Sequence, residues 1–323
     1  MTLTVSATVE RWPVAGEFII SRGAKKHVDV VLCEISDGTH SGAAEATPIY
    51  YEGESAGQCV EEITRFAARH PDLDRSVLLQ NMARGAARNA LDCALWNLEC
   101  RKSNKALWQV AGLPEPAPLT TAFTISLGQP EIMEAHARQA AANGHGLLKL
   151  KLSGQDDHER VAAVHRGAPD ARLIVDANES WNDLDIAAEA ARMAQYSVEL
   201  IEQPVSAGRD HLLSGVQSPI PLCADESCHT SADVERITSY YDAVNIKLDK
   251  AGGLTEAMAI AHAAQATDMK IMVGCMLSTS LAIRPAFALA QLAHWVDLDG
   301  PLLLAKDRTD GFRFEGGKIF PAH

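Results

Sequence analysis

A repeat of short apolar runs through the second two-thirds of the chain sets the tightest limit on its fold. "TAFTISLG", "LLKLKLSG", "RLIVDANES", "VELIEQPV", "PLCADES", "AVNIKLDKAGG", "KIMVGCMLS" and "HWVDLDG" follow one another between residues 121 and 300. Between them lie stretches such as "HERVAAVHRGA" and "LTEAMAIAHAAQA", whose apolar residues recur at helical period. Eight strands joined by helical crossovers imply a parallel sheet, and eight is the count that closes a (β/α) barrel. An open doubly wound sheet is the alternative, weakened because no glycine-rich phosphate turn follows the first strand.

The residues before this repeat have a different rhythm. "FIIS" and "VDVVLCEIS", the latter followed by "DG", read as antiparallel strands joined by hairpins. From about residue 55 to 111 the pattern is helical, as in "GAARNALDCALWNLECRK". "GLPEPAPL", with three prolines in eight residues, then marks a boundary. The expected architecture is α/β: an α+β capping domain over 1–117 and a modified TIM barrel, (β/α)7β, over 118–302. A segment 303–323 ends in "DGFRFEGGKIFPAH", expected to form a hairpin that returns to the capping domain.

Charge and cysteines narrow the setting. A formal net charge of -13 speaks against nucleic acid or an anionic membrane as partner, because both require a positive face. No apolar run approaches the length of a membrane span, and "MTLTVSATVERWPVAGEF" lacks the basic start and apolar core of a signal peptide. Seven cysteines, an odd number scattered through regular segments, suit reduced thiols in the cytoplasm. Nothing in the sequence sets the oligomeric state, and a homo-oligomer is compatible with it.

The chemistry gathers at the carboxyl ends of the barrel strands, the face on which barrel enzymes carry their sites. Three consecutive strands run apolar and then acidic: "LIVD" ends in Asp176, "ELIE" in Glu202 and "PLCAD" in Asp225. One such acid is as well explained by capping the next helix. Three at equivalent positions converge, and converging anions demand a cation; oxygen ligands suit Mg²⁺, with Mn²⁺ as a substitute, one per subunit. The second strand places Lys149 and Lys151 on one face by alternation, and the sixth carries Lys247 on the far side of the acids. A lysine serves as a base only when neutral near pH 7, and burial beside another cation lowers its pKa. "CADESCH" holds Cys223, Cys228 and His229, but a closed zinc site needs four ligands and no second Cys/His pair is near. "KAGG" before a helix reads as a turn and lacks the lysine and hydroxyl of a phosphate loop.

"KLK", the Asp176, Glu202 and Asp225 series and Lys247 together resemble the enolase superfamily, muconate-lactonizing subgroup, over the whole chain. The resemblance implies that Lys151 abstracts a proton next to a substrate carboxylate and that Lys149 tunes it. It implies a metal that stabilises an enediolate, Lys247 acting from the opposite face, and Asn178 of "DAN" supporting the metal-binding loop. Lysines on both faces suit racemisation or epimerisation, although cycloisomerases and dehydratases of the subgroup also retain both. "WVDLDGP" places Asp297 and Asp299 on one side of the last strand end. This D-x-D resembles that of dipeptide epimerases, where the pair holds the substrate ammonium. "ADESCHT", "VNIKLDKAGGLTEA" and "GCML" are similar to the L-Ala-D/L-Glu epimerases of murein peptide recycling. A glutamate side chain would then need basic residues, which "SRGAKKH" offers as Arg22, Lys25 and Lys26; Tyr50 and Tyr51 of "YYEGES" are candidates to close the pocket. The other readings are another enzyme of the subgroup (N-succinylamino acid racemase, o-succinylbenzoate synthase or muconate cycloisomerase) and a non-catalytic binding barrel.

Overall fold

The computed structural model of the chain describes residues 3–20 and 23–321. It opens with three antiparallel strands, β1 (Thr4–Ile20), β2 (Gly23–Ser36) and β3 (Ser41–Ala46), in the order β1-β2-β3. The helices Ala56–Arg69, Arg75–Asn81, Ala86–Ser103 and Leu107–Ala111 follow. Ser55 and Asp74 cap the first two through hydrogen bonds from Gln58 N and Val77 N. The helix Ala86–Ser103 is buried along almost its whole length, because it runs between the small sheet and the barrel. Gly42 on β3 lies so close to it that a Cβ there would meet Leu98 N at 2.3 Å.

After β4 (Leu119–Thr120) come eight parallel strands: β5 (Phe123–Ile125), β6 (Leu147–Lys151), β7 (Arg172–Asp176), β8 (Val198–Glu202), β9 (Leu222–Ala224), β10 (Ala243–Ile246), β11 (Lys270–Gly274) and β12 (Trp295–Asp297). They pair in chain order from β5 to β12. The two edges meet: Ala122 N donates to Val296 O at 2.8 Å, and Leu298 N to Thr121 Oγ1 at 2.9 Å. The result is a nearly closed barrel rather than an open sheet. Six of the seven crossovers contain an α-helix; between β8 and β9 the connection carries only a 3-10 turn, Asp210–Leu213. Proline at 204, 219 and 221 and glycine at 208 and 215 deny that segment a longer helix.

The barrel floor is an apolar plug of Ala122, Leu147, Ile174, Leu200, Cys223, Ala243, Met272 and Trp295. Ala122 leads into β5 and each of the others comes from one of the strands β6–β12, the layered filling that an eight-stranded barrel requires. Cys223 belongs to this floor, which accounts for its burial without any zinc. Among the described residues no helix is long and apolar enough to cross a membrane.

The return of the chain after the barrel differs from expectation. Leu304 bridges to Val14, and Ala305 N donates to Pro13 O at 2.8 Å, so this stretch does lie against the first sheet. The final hairpin, β13 (Arg313–Glu315) and β14 (Lys318–Phe320), instead pairs with β4 just before the barrel begins. It packs at the amino ends of the strands, where Thr121 N donates to Gly317 O at 3.0 Å. Alternation announced a hairpin, but it carries no information about the strand that a hairpin's free edge joins.

Candidate active site

Side chains in a strand alternate between faces, so the residue two beyond each floor position points into the barrel one layer higher. Leu147 leads to Lys149 and then Lys151, Ile174 to Asp176, Leu200 to Glu202, and Cys223 to Asp225. Ala243 leads to Asn245 and Lys247, and Trp295 to Asp297. The step that carries the chain out of the apolar plug therefore carries it directly into a ring of charge. All these polar residues are buried, with Asp176 and Glu202 at 0% exposure and Lys151 the most open at 9%.

Lys149 sits at the centre. Its Nζ lies 2.7 Å from Glu202 Oε2, 2.9 Å from Asp297 Oδ2 and 3.2 Å from Asp176 Oδ2. Lys151 Nζ reaches Asp176 Oδ2 at 2.6 Å from one side, and Lys247 Nζ reaches Asp225 Oδ2 at 2.6 Å from the other. Glu202, between them, is 3.9 Å from Lys247 and takes a hydrogen bond from Asn245 Nδ2 at 2.8 Å. The three acids and three lysines expected from the sequence thus come together in one cluster.

Lys149, read from the sequence as the neighbour that tunes Lys151, is itself surrounded by carboxylates. Burial alone would lower its pKa; Asp297, Glu202, Asp176 and Asp225 outweigh that and hold the pKa well above the ordinary lysine value. Both lysines touch Asp176 Oδ2, Lys149 at 3.2 Å and Lys151 at 2.6 Å. Burial also opposes ionisation of Asp176, yet Lys151 and Lys149 hold it ionised below the ordinary carboxylate range. Glu202 goes the other way, pushed up by burial and by the Asp176 charge.

The donor set passes a test for a hard cation. Among the described residues no three His, Cys, Asp or Glu side chains stand together as a ready-made metal cage, because lysine ammoniums lie between the acids. Two of the acid oxygens are nevertheless left over. Glu202 Oε2 and Asp225 Oδ1 are buried and accept no hydrogen bond, although each lies within 2.7 Å of an ammonium set at the wrong angle to donate. Buried oxygens with unspent lone pairs, from carboxylates alone, fit Mg²⁺ or Mn²⁺ and not a thiolate-seeking metal.

The remaining expected residues divide. Asp297 gives Oδ2 to Lys149 and keeps a buried Oδ1 without a hydrogen bond. Asp299 has left the strand; its Oδ2 accepts from Thr124 N at 2.7 Å, and burial together with Asp297 raises its pKa. Asn178 acts first through its backbone: it takes the left-handed conformation with φ +45°, and its N–H donates to Asp176 Oδ1 at 3.0 Å. Lys25 lies 3.9 Å from the centre of the Tyr50 ring, and burial lowers its pKa. Tyr51 is half-buried, with its hydroxyl inside where the charges of Asp225 and Lys247 reach it. Arg22 lies outside the described residues. The next residue after the tyrosines, Glu52, brings its Oε1 to 3.0 Å from His229 Nε2 on the barrel, without a hydrogen bond to that nitrogen, and burial lowers the His229 pKa.

Sequence reasoning missed three buried polar residues that touch the acids of the ring. Asn245 orients Glu202, as described. Gln203 accepts from Asp225 N at 2.8 Å and Ser227 N at 3.1 Å, fixing the turn that presents Asp225. Lys250, read only as part of a turn, is 1% exposed and packs against Asp225. Asn245 had a visible signal, since it shares the face of Lys247 two residues on.

Comparison with known proteins agrees with this arrangement. Residues 132–322 match the family described as enolase C-terminal domain-like. The L-Ala-D/L-Glu epimerase of Escherichia coli is 40% identical, over 98% of this chain and 99% of its own. An N-acetyl-D-glutamate racemase of a Pseudoalteromonas species is 39% identical, over 90% of this chain and 93% of its own. Among solved structures, an enolase family member from Agrobacterium tumefaciens with homology to dipeptide epimerases superposes with a TM-score of 0.95. It is 47% identical, the match covers 99% of this chain and 98% of that one, and it was crystallised with sodium and L-Ala-L-Glu. With the barrel, the acid triad and the paired lysines in place, the chain belongs to the enolase superfamily, in its epimerase and racemase branch of isomerases.

Proposed function

We propose that this protein is a Mg²⁺-dependent dipeptide epimerase acting on L-Ala-D/L-Glu, inverting the α-carbon of the C-terminal residue. The observation that carries the reading is the placement of Lys151 and Lys247 at opposite ends of one acid cluster, on Asp176 and Asp225. A proton leaves one face of a carbon held between them and another arrives on the other face. Lys151, as the neutral amine, takes the α-proton and becomes an ammonium. Lys247, as the ammonium, gives a proton to the opposite face and is left neutral, and the reverse reaction exchanges the roles. Asp176, Glu202 and Asp225 would hold the metal, one per subunit, and it would supply positive charge to the substrate carboxylate as the α-carbon loses its proton.

Asp297 Oδ1, buried and without a hydrogen bond, is the acceptor for a dipeptide ammonium, with Asp299 beside it. Lys25, on β2 of the capping domain, and Arg22 of the same sequence segment are assigned to the side-chain carboxylate, and Asn178 to support of the Asp176 loop. An L-Ala-D/L-Glu activity places the protein in cytoplasmic recycling of murein peptides. A second reading, racemisation of an N-acylated amino acid, has a specific motive: the racemase relative is nearly as similar as the epimerase. Deuterium uptake separates the two. In D₂O with Mg²⁺, the α-carbon of glutamate in L-Ala-L-Glu should exchange, and N-acetylglutamate should not. Exchange confined to N-acetylglutamate would replace the first reading by the second.

A further inference from the structure

The proton-transfer scheme leaves Lys250 without a part, although it is among the most deeply buried side chains of the molecule. An ammonium out of reach of water is costly unless each of its hydrogens finds an acceptor. Lys250 Nζ donates to Cys228 O and to Asn245 O, each at 3.1 Å, and makes a close hydrogen bond to Asp225 O. An ammonium has three donors, and three backbone carbonyls consume them. Asp225 Oδ1, only 2.6 Å away, therefore receives the charge of Lys250 without a hydrogen bond from it. The other oxygen, Oδ2, is hydrogen-bonded by Lys247.

The two lysines on Asp225 are thus held in different ways. Lys247 is retained by one side-chain hydrogen bond, which leaves its other hydrogens free to trade with a substrate. Lys250 is fastened to the backbone of the loop after β9 and of β10, and it cannot leave without stranding three carbonyls. It draws Asp225 Oδ1 into place by charge while leaving the lone pairs of that oxygen open.

We propose that Lys250 is a positioning residue for the metal: it fixes the Asp225 carboxylate in a ligating orientation without occupying the ligating oxygen. The inference rests on the reading that Asp176, Glu202 and Asp225 hold a divalent cation.

The test is Mn²⁺ affinity, followed by the EPR signal of free Mn²⁺ as the metal-free protein is titrated. Loss of an outer partner of a metal ligand typically weakens binding about 10–100-fold, which is the change expected for Lys250→Met. Lys247→Met removes a competitor for Asp225 Oδ2 and, at 3.9 Å, for Glu202 Oε1, and should leave the affinity equal or tighter. This contrast separates positioning from a general loss of buried charge. If Lys250→Met does not fold, Lys250→Gln takes its place, since it keeps donors for the carbonyls and lacks the charge; the same weakening is expected. A folded Lys250 variant that binds Mn²⁺ as tightly as the parent overturns the proposal, and so does failure of both variants to fold, which assigns Lys250 to the fold alone. A parent protein that binds no Mn²⁺ refutes the metal reading from which the proposal starts.

Discussion

At the scale of single residues, Asp297 shows how a position decides a role. Its Oδ2 neutralises part of Lys149, and its Oδ1 is buried with no donor. A carboxylate oxygen in that condition is destabilising unless a ligand completes it, so the site is poised for a cation that comes with the substrate. Asp297→Asn keeps the shape and removes the charge. Hydrogen bonds to charged groups contribute about 1.5–3 kcal/mol, so kcat/KM for L-Ala-L-Glu should fall roughly 10–100-fold. Steady-state assays by chiral chromatography check this, and an unchanged kcat/KM would remove Asp297 from ammonium binding.

At the scale of elements, the legible part of the sequence was the part with a period. Apolar runs that end in Asp176, Glu202 and Asp225 are visible because a parallel strand is buried on both faces until its carboxyl end opens into the site. The floor and the charged ring follow from the same alternation, two residues apart. Lys250 was not legible in this way: it sits in the short helix Leu248–Ala251, where strand parity has ended, and its acceptors are backbone carbonyls that leave no mark in a sequence. Asp299 lies beyond strand parity as well, since β12 stops at Asp297 and the chain turns before residue 299, yet it stays buried near Asp297. The missing helix between β8 and β9 departs from the expected run of helical crossovers, and the prolines and glycines of that segment are its physical reason. The partner of the final hairpin was not announced, because pairing across nearly 200 residues depends on where the barrel places β4.

At the scale of the whole molecule, buried polar joints fasten the capping domain to the barrel. Asp249 accepts from Thr47 N at 2.9 Å and from Asn89 Nδ2 at 2.8 Å, both on the capping side. Arg88 donates to Gly252 O and Ala251 O, and Glu45 accepts from Thr279 N and Arg308. Burial pushes the Asp249 carboxyl up to about 7 against those hydrogen bonds. A folded-state pKa above the unfolded one means that the folded protein binds more protons between the two values. The stabilising contribution is then complete below the ordinary carboxylate pKa and is lost as pH rises through about 7. Asp249→Asn keeps an oxygen for both donors and does not titrate. Urea midpoints of the parent should fall relative to the variant between about pH 5 and pH 8, on this linkage; parallel curves would deny that Asp249 is charged with difficulty.

The central claim is that two lysines work on opposite faces of one carbon, and isotope exchange in the single variants tests it most directly. In D₂O with Mg²⁺, Lys151→Ala and Lys247→Ala should each lose net epimerisation, by about 10²–10⁴-fold or more for removal of a general base. Each should still exchange the α-hydrogen of one diastereomer, Lys151→Ala that of one and Lys247→Ala that of the other, because the surviving lysine removes and returns hydrogen on its own face. Exchange of the same diastereomer by both variants, or full epimerisation by either, would contradict the account.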